Sequence, residues 1–340
     1  ETPGAGRATT ALSGSETVST QHHITPKNAI IERAHAADTV IASMSGGKDS
    51  VAMWLYLERE IGLKNVQCVF ADTGWESREM AGYLTYLRAM GCPLVELPQR
   101  QVRDLWKKEP SQDATRRMAA AGISITDPLT METLAAAKGR FPSSQARFCT
   151  TELKLIPLHL HRQSVKGDVL MCSGVRAQES PRRAAMADYM EDEFMGCDHW
   201  KPIFHWTHDE VFELHHKHGI NPNPLYKKGQ HRVGCWPCIH ARKGDIADMV
   251  RHDPARAVEI AETEKRVAKS CNRGMSSFFA AEKAAKGYRN REIGGVQFAD
   301  FEGVAKWAIE APTPFTDEDL FSDEDFESAV DLDAPACQSP

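Results

Sequence analysis

Long apolar runs are missing from this 340-residue sequence, which argues against a membrane-spanning helix. No stretch approaches the roughly 20 consecutive apolar residues that a membrane-spanning helix needs. The N-terminal segment also lacks the basic and apolar regions of a secretory signal, so we expect a cytoplasmic protein without a membrane partner. With 41% hydrophobic and 26% charged residues, the chain has the composition of a soluble protein with a substantial core.

Basic residues are absent from the last thirty positions, where acidic residues are frequent. These acidic residues include Asp317, Glu318, Asp319, Asp323, Glu324, Asp325 and Glu327. The net charge of −6 therefore hides a body that is close to neutral or slightly basic, and it neither supports nor excludes a nucleic acid partner. We expect flexible tails at 1–27, which is rich in Ser, Thr, Gly and Ala, and at 313–340, which is acidic.

The most informative stretch is the polar segment 43–50, Ser-Met-Ser-Gly-Gly-Lys-Asp-Ser. It follows a β-prone apolar run at 39–42 and precedes a segment, 51–58, whose apolar residues recur at helical spacing. The glycines let backbone amides turn inward, the lysine adds a cation, and the start of a helix favours anions. The sequence therefore predicts a loop that binds phosphate or pyrophosphate, although the Walker pattern is absent. A glycine turn in which Asp49 or Ser50 only caps the helix is the simpler alternative.

Strand and helix patterns alternate along most of the chain. Further strands are predicted at 65–70, 93–97 and 168–172, and helices at 28–38, 77–90, 151–163, 205–219 and 245–284. This alternation predicts an α/β fold with a doubly wound, mostly parallel sheet and a ligand at the carboxyl ends of its strands.

One segment, 101–147, interrupts the alternation, and we expect it to be a helical insertion. It could cover the site, contact a partner or simply be solvated. We therefore divide the chain into a nucleotide-binding domain at 28–244 that contains this insertion and a helical C-terminal region at 245–312.

Two further polar loops follow predicted strands. Asp72-Thr73-Gly74 ends the second strand, and Asp72 is suited to a ribose hydroxyl or to the magnesium ion that accompanies pyrophosphate. A turn shaped by the aspartate is the alternative there. The loop 173–183 contains three arginines, which bind phosphate or sulfate bidentately, although such loops are often only solvated.

The cysteines favour metal binding or redox chemistry over disulfides, because their number, nine, is odd and the expected compartment is reducing. Cys235 and Cys238 form a Cys-x₂-Cys pair, and Cys149 and Cys271 can complete a four-cysteine [4Fe–4S] site. A Cys/His zinc site is the main rival, because histidines are frequent from 205 to 240.

In their order and spacing, these motifs resemble the 3′-phosphoadenylylsulfate (PAPS) reductase family of the N-type ATP pyrophosphatase (PP-loop) superfamily. The shared stretches, spread over about 38–245, are 43–50, 72–74, 149–158, 174–180, 202–207, 223–225 and 234–238. The resemblance implies an adenine nucleotide alpha hydrolase-like fold.

Within that family, three kinds of protein compete. Sulfonucleotide reductases have a degraded loop, a terminal Glu-Cys-Gly-type motif and often paired cysteines, whereas here the loop is intact and Cys149 precedes Thr150. The small subunit of bacterial ATP sulfurylase keeps the loop but is not expected to carry a cysteine cluster. The chain most resembles the sulfur-incorporating ATPase of DNA phosphorothioation systems.

That resemblance implies binding of ATP with Mg²⁺, adenylation of an acceptor and sulfur transfer that depends on a [4Fe–4S] cluster. The implied nucleotide-binding residues are Ser43, Ser45, Gly46, Gly47, Lys48, Asp49, Ser50, Asp72, Thr73, Gly74, Gly174, Arg176, Glu179 and Arg182. Catalytic roles fall to Lys48, Asp49, Lys154 and Arg176.

The implied partners are a sulfur donor such as a cysteine desulfurase and an acceptor that could be a nucleic acid, together with possible partner subunits. Two other functions remain open at this point. One is that of a sulfonucleotide reductase, and the other is that of an ATP-binding regulatory component whose zinc knuckle is structural.

Overall fold

A six-stranded sheet forms the centre of the structure, a computed structural model that describes residues 27–279, 286–293 and 296–310. Its strands are β1 (Thr39–Met44), β2 (Val66–Ala71), β3 (Leu94–Leu97), β4 (Val169–Ser173), β5 (Tyr189–Asp192) and β6 (Cys197–Trp200). They lie in the order β3-β2-β1-β4-β6-β5, and all pairs are parallel except β5 with β6. The doubly wound, mostly parallel sheet predicted from the sequence is confirmed.

Helices connect and flank these strands. They are α1 (Lys27–Ala36), α2 (Lys48–Leu55), α3 (Glu79–Ala89), α4 (Gln112–Ala120), α5 (Met131–Lys138), α6 (Phe148–Thr150), α7 (Ile156–Ser164), α8 (Pro181–Ala184), α9 (His208–Lys217), α10 (Lys243–His252), α11 (Pro254–Ser270) and α12 (Phe301–Glu310). A π-helical turn at Tyr56–Glu60 extends α2, and another at Thr151–Leu155 joins α6 to α7. Short 3₁₀ turns occur at Val102–Leu105, Ala177–Glu179, Pro224–Lys228 and Lys286–Tyr288, and a small hairpin pairs β7 (Arg291–Ile293) with β8 (Val296–Phe298).

The first core packs α1, α2, α3 and α9 against one face of the sheet, where Trp54 and Leu55 are fully buried. The opposite face is covered by α7 through a smaller cluster that includes Ile41, Leu158 and Met171. Burial on both faces explains why β1 and β4 read as nearly continuous apolar runs.

A second core lies outside the sheet and joins the insertion to the C-terminal helices. Leu134 of α5 and Ile260 of α11 are fully buried there, together with Phe301 of α12. The insertion is helical, as predicted, and α4 and α5 both pack on α11. Its apolar residues therefore form a core, so the alternative of a simply solvated segment does not describe it.

The C-terminal segment differs from the single helical stretch expected at 245–284. It breaks at Asp253, whose carboxylate accepts a hydrogen bond from the Arg256 amide (3.1 Å) and so caps α11. Pro254 occupies the first position of α11, where its missing N–H costs nothing. Residues 280–284 of that expected helix and both predicted tails, apart from Lys27, lie outside the described residues. In the described ranges, every helix is too short or too polar to traverse a bilayer.

Candidate nucleotide and cysteine site

The predicted anion-binding loop connects β1 to α2. Gly46 adopts a φ of +71°, a conformation that favours glycine, and a Cβ at this position would lie 2.6 Å from the Met80 sulfur. The Ser50 hydroxyl donates to the Gly47 carbonyl (2.9 Å) and accepts from the Ser45 amide (3.2 Å). The loop is therefore a tight turn at the carboxyl edge of the sheet, held by its own serines.

Tyr226 also holds the loop, a role that no sequence pattern indicates. It lies in the 3₁₀ turn Pro224–Lys228, and its hydroxyl accepts a hydrogen bond from the Lys48 amide (2.9 Å). Burial raises the pKa of Tyr226, so its hydroxyl stays protonated and keeps a proton to donate. Behind the loop, the buried His215 ring approaches the Lys48 carbonyl oxygen (2.9 Å). Only tertiary contacts bring these two side chains to the loop.

Two cations meet one carboxylate beside the loop. The Lys48 ammonium lies 2.9 Å from one Asp49 oxygen, and Arg176 Nε donates to the other at 2.6 Å. Lys48 and Arg176 are 7% and 3% exposed, so this edge of the sheet carries a nearly buried net positive charge. Such a charge, at the N-terminus of α2, attracts an anion.

Gly174 allows the end of β4 to approach α2. A Cβ on Gly174 would lie 2.8 Å from the Asp49 carbonyl oxygen, so a side chain would push the strand from the helix. Glu179 accepts a hydrogen bond from the Arg176 amide (2.9 Å) and also pairs with Arg183. These contacts bring Gly174, Arg176 and Glu179 to the loop, and their roles in nucleotide binding stay predictions.

Arg182 stands beside this group without a carboxylate of its own. Among the described residues, its side chain forms no hydrogen bond or ion pair. Burial and the charges of Arg182 and Arg183 lower the pKa of Arg147. The three guanidinium groups therefore leave a cationic surface next to the loop.

Asp72 lies at the end of β2 and shapes a turn. One of its oxygens accepts from the Gly74 amide (2.8 Å) and the other from Gln99 (2.9 Å). Glu76, to which the sequence assigned no role, accepts from the Thr73 hydroxyl (2.7 Å). Burial and the neighbouring Asp72 raise the pKa of Glu76. The turn alternative thus describes the observed contacts of Asp72, and its role toward ribose or magnesium stays a prediction.

The Cys-x₂-Cys segment 235–238, which we call the knuckle, is held against the loop that follows β2. The Trp236 amide donates to the Trp75 carbonyl (2.7 Å), and the Trp75 indole donates to the Pro237 carbonyl (3.1 Å). Arg256 of α11 donates to the Trp236 carbonyl (2.9 Å) and stacks its guanidinium 4.3 Å from the Trp75 ring. The knuckle is therefore fixed to β2 on one side and to the second core on the other.

Three thiols influence one another electrostatically here, and we call Cys149, Cys235 and Cys238 the cysteine cluster. Burial raises the pKa of Cys149 to about 11, and the neighbouring Cys235 and Cys238 add to this effect. The thiols also raise the pKa of Lys154, with the largest effect from Cys235. The Thr73 hydroxyl lies 3.8 Å from the Cys235 sulfur, which links the cluster to the β2 loop.

Cys271 has no such link to the cysteine cluster. Among the described residues, no hydrogen bond joins its thiol to the other three. Within the part of the chain that the structure describes, no group of three or more cysteine, histidine, aspartate or glutamate side chains is arranged to hold a metal ion. The three thiols fit a thiophilic metal by their chemistry, since sulfur ligands select zinc and iron–sulfur clusters. The fourth ligand stays a prediction.

The fold and the site together define a class of protein. A mostly parallel sheet whose first strand leads through a glycine loop into a helix, with cations at that loop, defines a doubly wound α/β protein with a candidate anion-binding loop. The sequence profile of the phosphoadenosine phosphosulfate reductase domain matches residues 39–241. The chain therefore belongs to the phosphoadenosine phosphosulfate reductase domain family.

Several known proteins are similar to this chain. An uncharacterized 37.8 kDa protein of Escherichia phage 186 is 37% identical over 308 residues, which cover 82% of this chain and 91% of that protein. The adenosine 5′-phosphosulfate reductase of Bacillus velezensis is 24% identical, with 60% of this chain and 75% of that protein covered. Among solved structures, the PAPS reductase of Candida auris has a TM-score of 0.41 at 15% identity, covering 67% of this chain and 99% of that one.

Proposed function

We propose that this protein is an ATP pyrophosphatase that adenylates an acceptor and supports sulfur transfer at the cysteine cluster. The observation that carries the proposal is the intact loop at which Lys48, Asp49 and Arg176 meet on the first turn of α2. An enzyme that only bound a sulfonucleotide would have no need for a loop with this full set of donors and cations.

The loop supplies what pyrophosphate departure requires. Oxygen of the acceptor attacks the α-phosphorus of ATP, the bond to the β-phosphate breaks, and pyrophosphate leaves with the electron pair. Lys48 and the loop amides stabilise that developing charge, and Arg176 holds the phosphates. Asp72, at the neighbouring strand end, is the carboxylate that we assign to the magnesium ion. The acceptor is left as an adenylate, whose AMP is a good leaving group.

Sulfur replaces AMP in the second half of the reaction. Lys154, beside the cysteine cluster, would hold the anionic acceptor while sulfide-level sulfur forms the new bond and AMP leaves with the electron pair. A persulfide donor reaches that level when a dithiol supplies two electrons and is oxidised to a disulfide. Cys149, Cys235 and Cys238 would hold a [4Fe–4S] cluster, with Cys271 or another residue as the fourth ligand. When bound, such a cluster supplies a site for sulfur. We assign the role of donor to a partner such as a cysteine desulfurase and the role of acceptor to a nucleic acid, for which the cationic surface of Arg147, Arg182 and Arg183 is suited.

Pyrophosphate release tests the first half. We expect the protein with ATP and Mg²⁺ to release pyrophosphate when a candidate acceptor is added, and Lys48→Ala to reduce the rate roughly 10²- to 10³-fold. Lys227→Ala, which changes an exposed lysine of the Pro224–Lys228 turn, is the control and should keep the wild-type rate. No release with any acceptor would contradict the proposal.

Metal analysis tests the second half. In protein prepared without oxygen, we expect iron and acid-labile sulfide, both lost in Cys235→Ser and retained in Cys197→Ser, which lies outside the cysteine cluster. Iron retained in Cys271→Ser would exclude Cys271 as a ligand. One zinc ion and no iron would contradict the [4Fe–4S] assignment and favour a structural knuckle.

A sulfonucleotide reductase is the second candidate, and the relatives named adenosine 5′-phosphosulfate reductase favour it. Such an enzyme would release sulfite from adenosine 5′-phosphosulfate in the presence of a dithiol. Sulfite formation without pyrophosphate release from ATP would establish this candidate and exclude the first.

A further inference from the structure

A serine, a histidine and an aspartate form a hydrogen-bonded chain at the edge of the sheet, apart from the loop and the cysteine cluster. Ser173 is the last residue of β4, His199 lies in β6, and Asp192 ends β5. The Ser173 hydroxyl lies 2.9 Å from His199 Nε2, and His199 Nδ1 lies 3.1 Å from Asp192 Oδ2. The proposed function uses none of these three side chains.

The aspartate fixes the orientation of the ring. Asp192 Oδ1 accepts from the Met195 amide (3.0 Å), so the carboxylate is held by the turn between β5 and β6. The hydrogen bond from His199 lowers the pKa of Asp192, which therefore remains ionised and can only accept. Nδ1 must then carry the proton of the neutral ring, and Nε2 is left to accept from the Ser173 hydroxyl. This is the arrangement in which a histidine acts as a general base toward a serine.

The hydrogen-bonded group of Ser173, His199 and Asp192 is accessible to solvent and lies near the anion-binding loop. The side chains of His199 and Asp192 are 20% and 22% exposed, and Ser173 is also only partly buried. Ser173 pairs in register with Ser43 of β1, just before the loop, and the next residue, Gly174, touches the Asp49 backbone. An electrophile that carries phosphate charge could therefore reach Ser173 while Arg176, three residues further on, attracts it.

We propose that Ser173 is an activated nucleophile for a phosphoric ester or anhydride, with His199 as its general base and Asp192 as the positioning residue. The Ser173 oxygen forms a bond to phosphorus while the bond from phosphorus to the leaving oxygen breaks. The hydroxyl proton passes to His199 Nε2 and then to the leaving group. Water, with His199 again as the base, hydrolyses the phosphoserine ester and restores the hydroxyl.

A fluorophosphonate probe tests the nucleophile directly. Attack by Ser173 would form an oxygen–phosphorus bond, release fluoride and leave one phosphonyl group per chain, which peptide mass spectrometry places on a residue. We expect wild-type protein to be labelled at Ser173 and Ser173→Ala to remain unlabelled. His199→Gln and Asp192→Asn should slow labelling roughly 10²- to 10⁴-fold, because each removes the base or its correct tautomer.

His161→Gln is the matched control. His161 is another partly buried histidine whose ring has a polar side-chain partner, Gln67 at 3.2 Å. Among the described residues no hydroxyl bonds this ring, since the Ser164 hydroxyl donates to the His161 backbone carbonyl (2.7 Å), and the variant should label at the wild-type rate. Folding of each variant is followed by thermal unfolding. Wild-type protein that is folded but unlabelled at Ser173, or equal labelling rates in wild type and His199→Gln, would overturn the proposal. The probe needs no ATP, so a failure of ATP cleavage and a failure of this site are distinguishable.

Discussion

At the scale of single residues, Tyr226 illustrates how much of the anion-binding loop depends on groups distant in sequence. Its hydroxyl occupies the hydrogen-bonding position of the Lys48 amide, which a phosphate oxygen would otherwise take. The Lys48 amide is therefore already paired before a nucleotide arrives. Under the proposed function, a phosphate oxygen of ATP must replace the Tyr226 hydroxyl as the partner of that amide.

Removal of this hydroxyl should be visible in stability. We expect Tyr226→Phe to lower the free energy of unfolding by about 1–3 kcal/mol, because the Lys48 amide loses its partner. Saturating ATP with Mg²⁺ should reduce that deficit, since a phosphate oxygen can then accept from the amide. Thermal or denaturant unfolding with and without nucleotide measures both values.

Tyr86→Phe provides the comparison. The Tyr86 hydroxyl accepts from the Asn221 amide (2.9 Å), away from the loop, so the effect of this variant should not depend on ATP. Equal deficits for Tyr226→Phe with and without ATP would show that the hydroxyl is not exchanged for phosphate.

The residues of the site differ in how far the sequence could reveal them. The loop 43–50 is a contiguous pattern whose glycines, lysine and serines act locally, so its position at the start of α2 could be predicted. Other groups depend on contacts between separate segments. These are Tyr226, Glu76 and the hydrogen-bonded group of Ser173, His199 and Asp192. No spacing rule in one sequence reports such contacts.

At the scale of elements, the contact between β4 and α2 places Arg176 beside Asp49. Gly174→Ala would put a Cβ 2.8 Å from the Asp49 carbonyl oxygen, and strand and helix must separate to accept it. We expect at least a tenfold slower pyrophosphate release and about 1–3 kcal/mol lower stability. Gly244→Ala in α10, where a Cβ meets nothing within 4 Å, should leave the release rate unchanged. Equal rates for the two variants would refute the importance of this close approach.

Glu264 joins α11 to the segments that follow it. Its buried carboxyl accepts from the Phe278 amide (2.6 Å), from the Phe301 amide at the start of α12 (2.7 Å) and from Ser277 (3.1 Å). Burial nevertheless raises its pKa from 4.5 to about 7. The folded protein thus binds a proton here more tightly than the unfolded chain does.

This proton should give the stability a measurable pH dependence. A raised folded-state pKa contributes stability that is fully present below about pH 4.5 and is lost as the pH rises through 7. We therefore expect the unfolding free energy of the wild type, relative to Glu264→Gln, to fall by about 3 kcal/mol between pH 4.5 and pH 8. Denaturant unfolding across this range provides the measurement.

Glu262→Gln is the control from the same helix. Lys265 lowers the pKa of that exposed carboxylate, so its small contribution has the opposite sign and is lost as the pH falls. A pH-independent difference between wild type and Glu264→Gln would contradict the expectation.

Strands and helices could be predicted where the local pattern of apolar residues matches the burial of the segment in the fold. β1, β2 and β4 are apolar runs because both faces of the sheet are covered. β5 and β6 read Tyr-Met-Glu-Asp and Cys-Asp-His-Trp and were missed, because such short polar sequences become strands only by pairing with an existing edge. The start of α11 was missed although Asp253 and Pro254 are ordinary start signals for a helix.

At the scale of the whole molecule, the two cores depend on each other. Trp75 follows a strand of the sheet yet belongs to the second core, where it stacks on Phe278 with ring centres 5.3 Å apart. The knuckle lies between the sheet and the second core. A boundary at 244 therefore separates segments that share one core.

Truncation tests this dependence. A chain that ends at residue 244 loses α10–α12 and exposes the buried apolar residues of α5, so we expect it to aggregate or to lose cooperative unfolding. A chain that ends at 312 keeps both cores and should unfold cooperatively at the wild-type temperature. Cooperative unfolding of the shorter chain at an unchanged temperature would show that the second core is dispensable.

The clamp between Trp75 and the knuckle also has a consequence for the newly made protein. The ribosome releases the glycine loop early, but the partners of the cysteine cluster emerge only with residues 235–238, and Arg256 and Phe278 follow later still. The nascent chain thus carries a nucleotide loop for most of its synthesis without the sulfur ligands beside it. Under the proposed function, the cysteine cluster can receive sulfur only after residues 235–238 have been translated, so the order of synthesis separates formation of the loop from formation of the cluster.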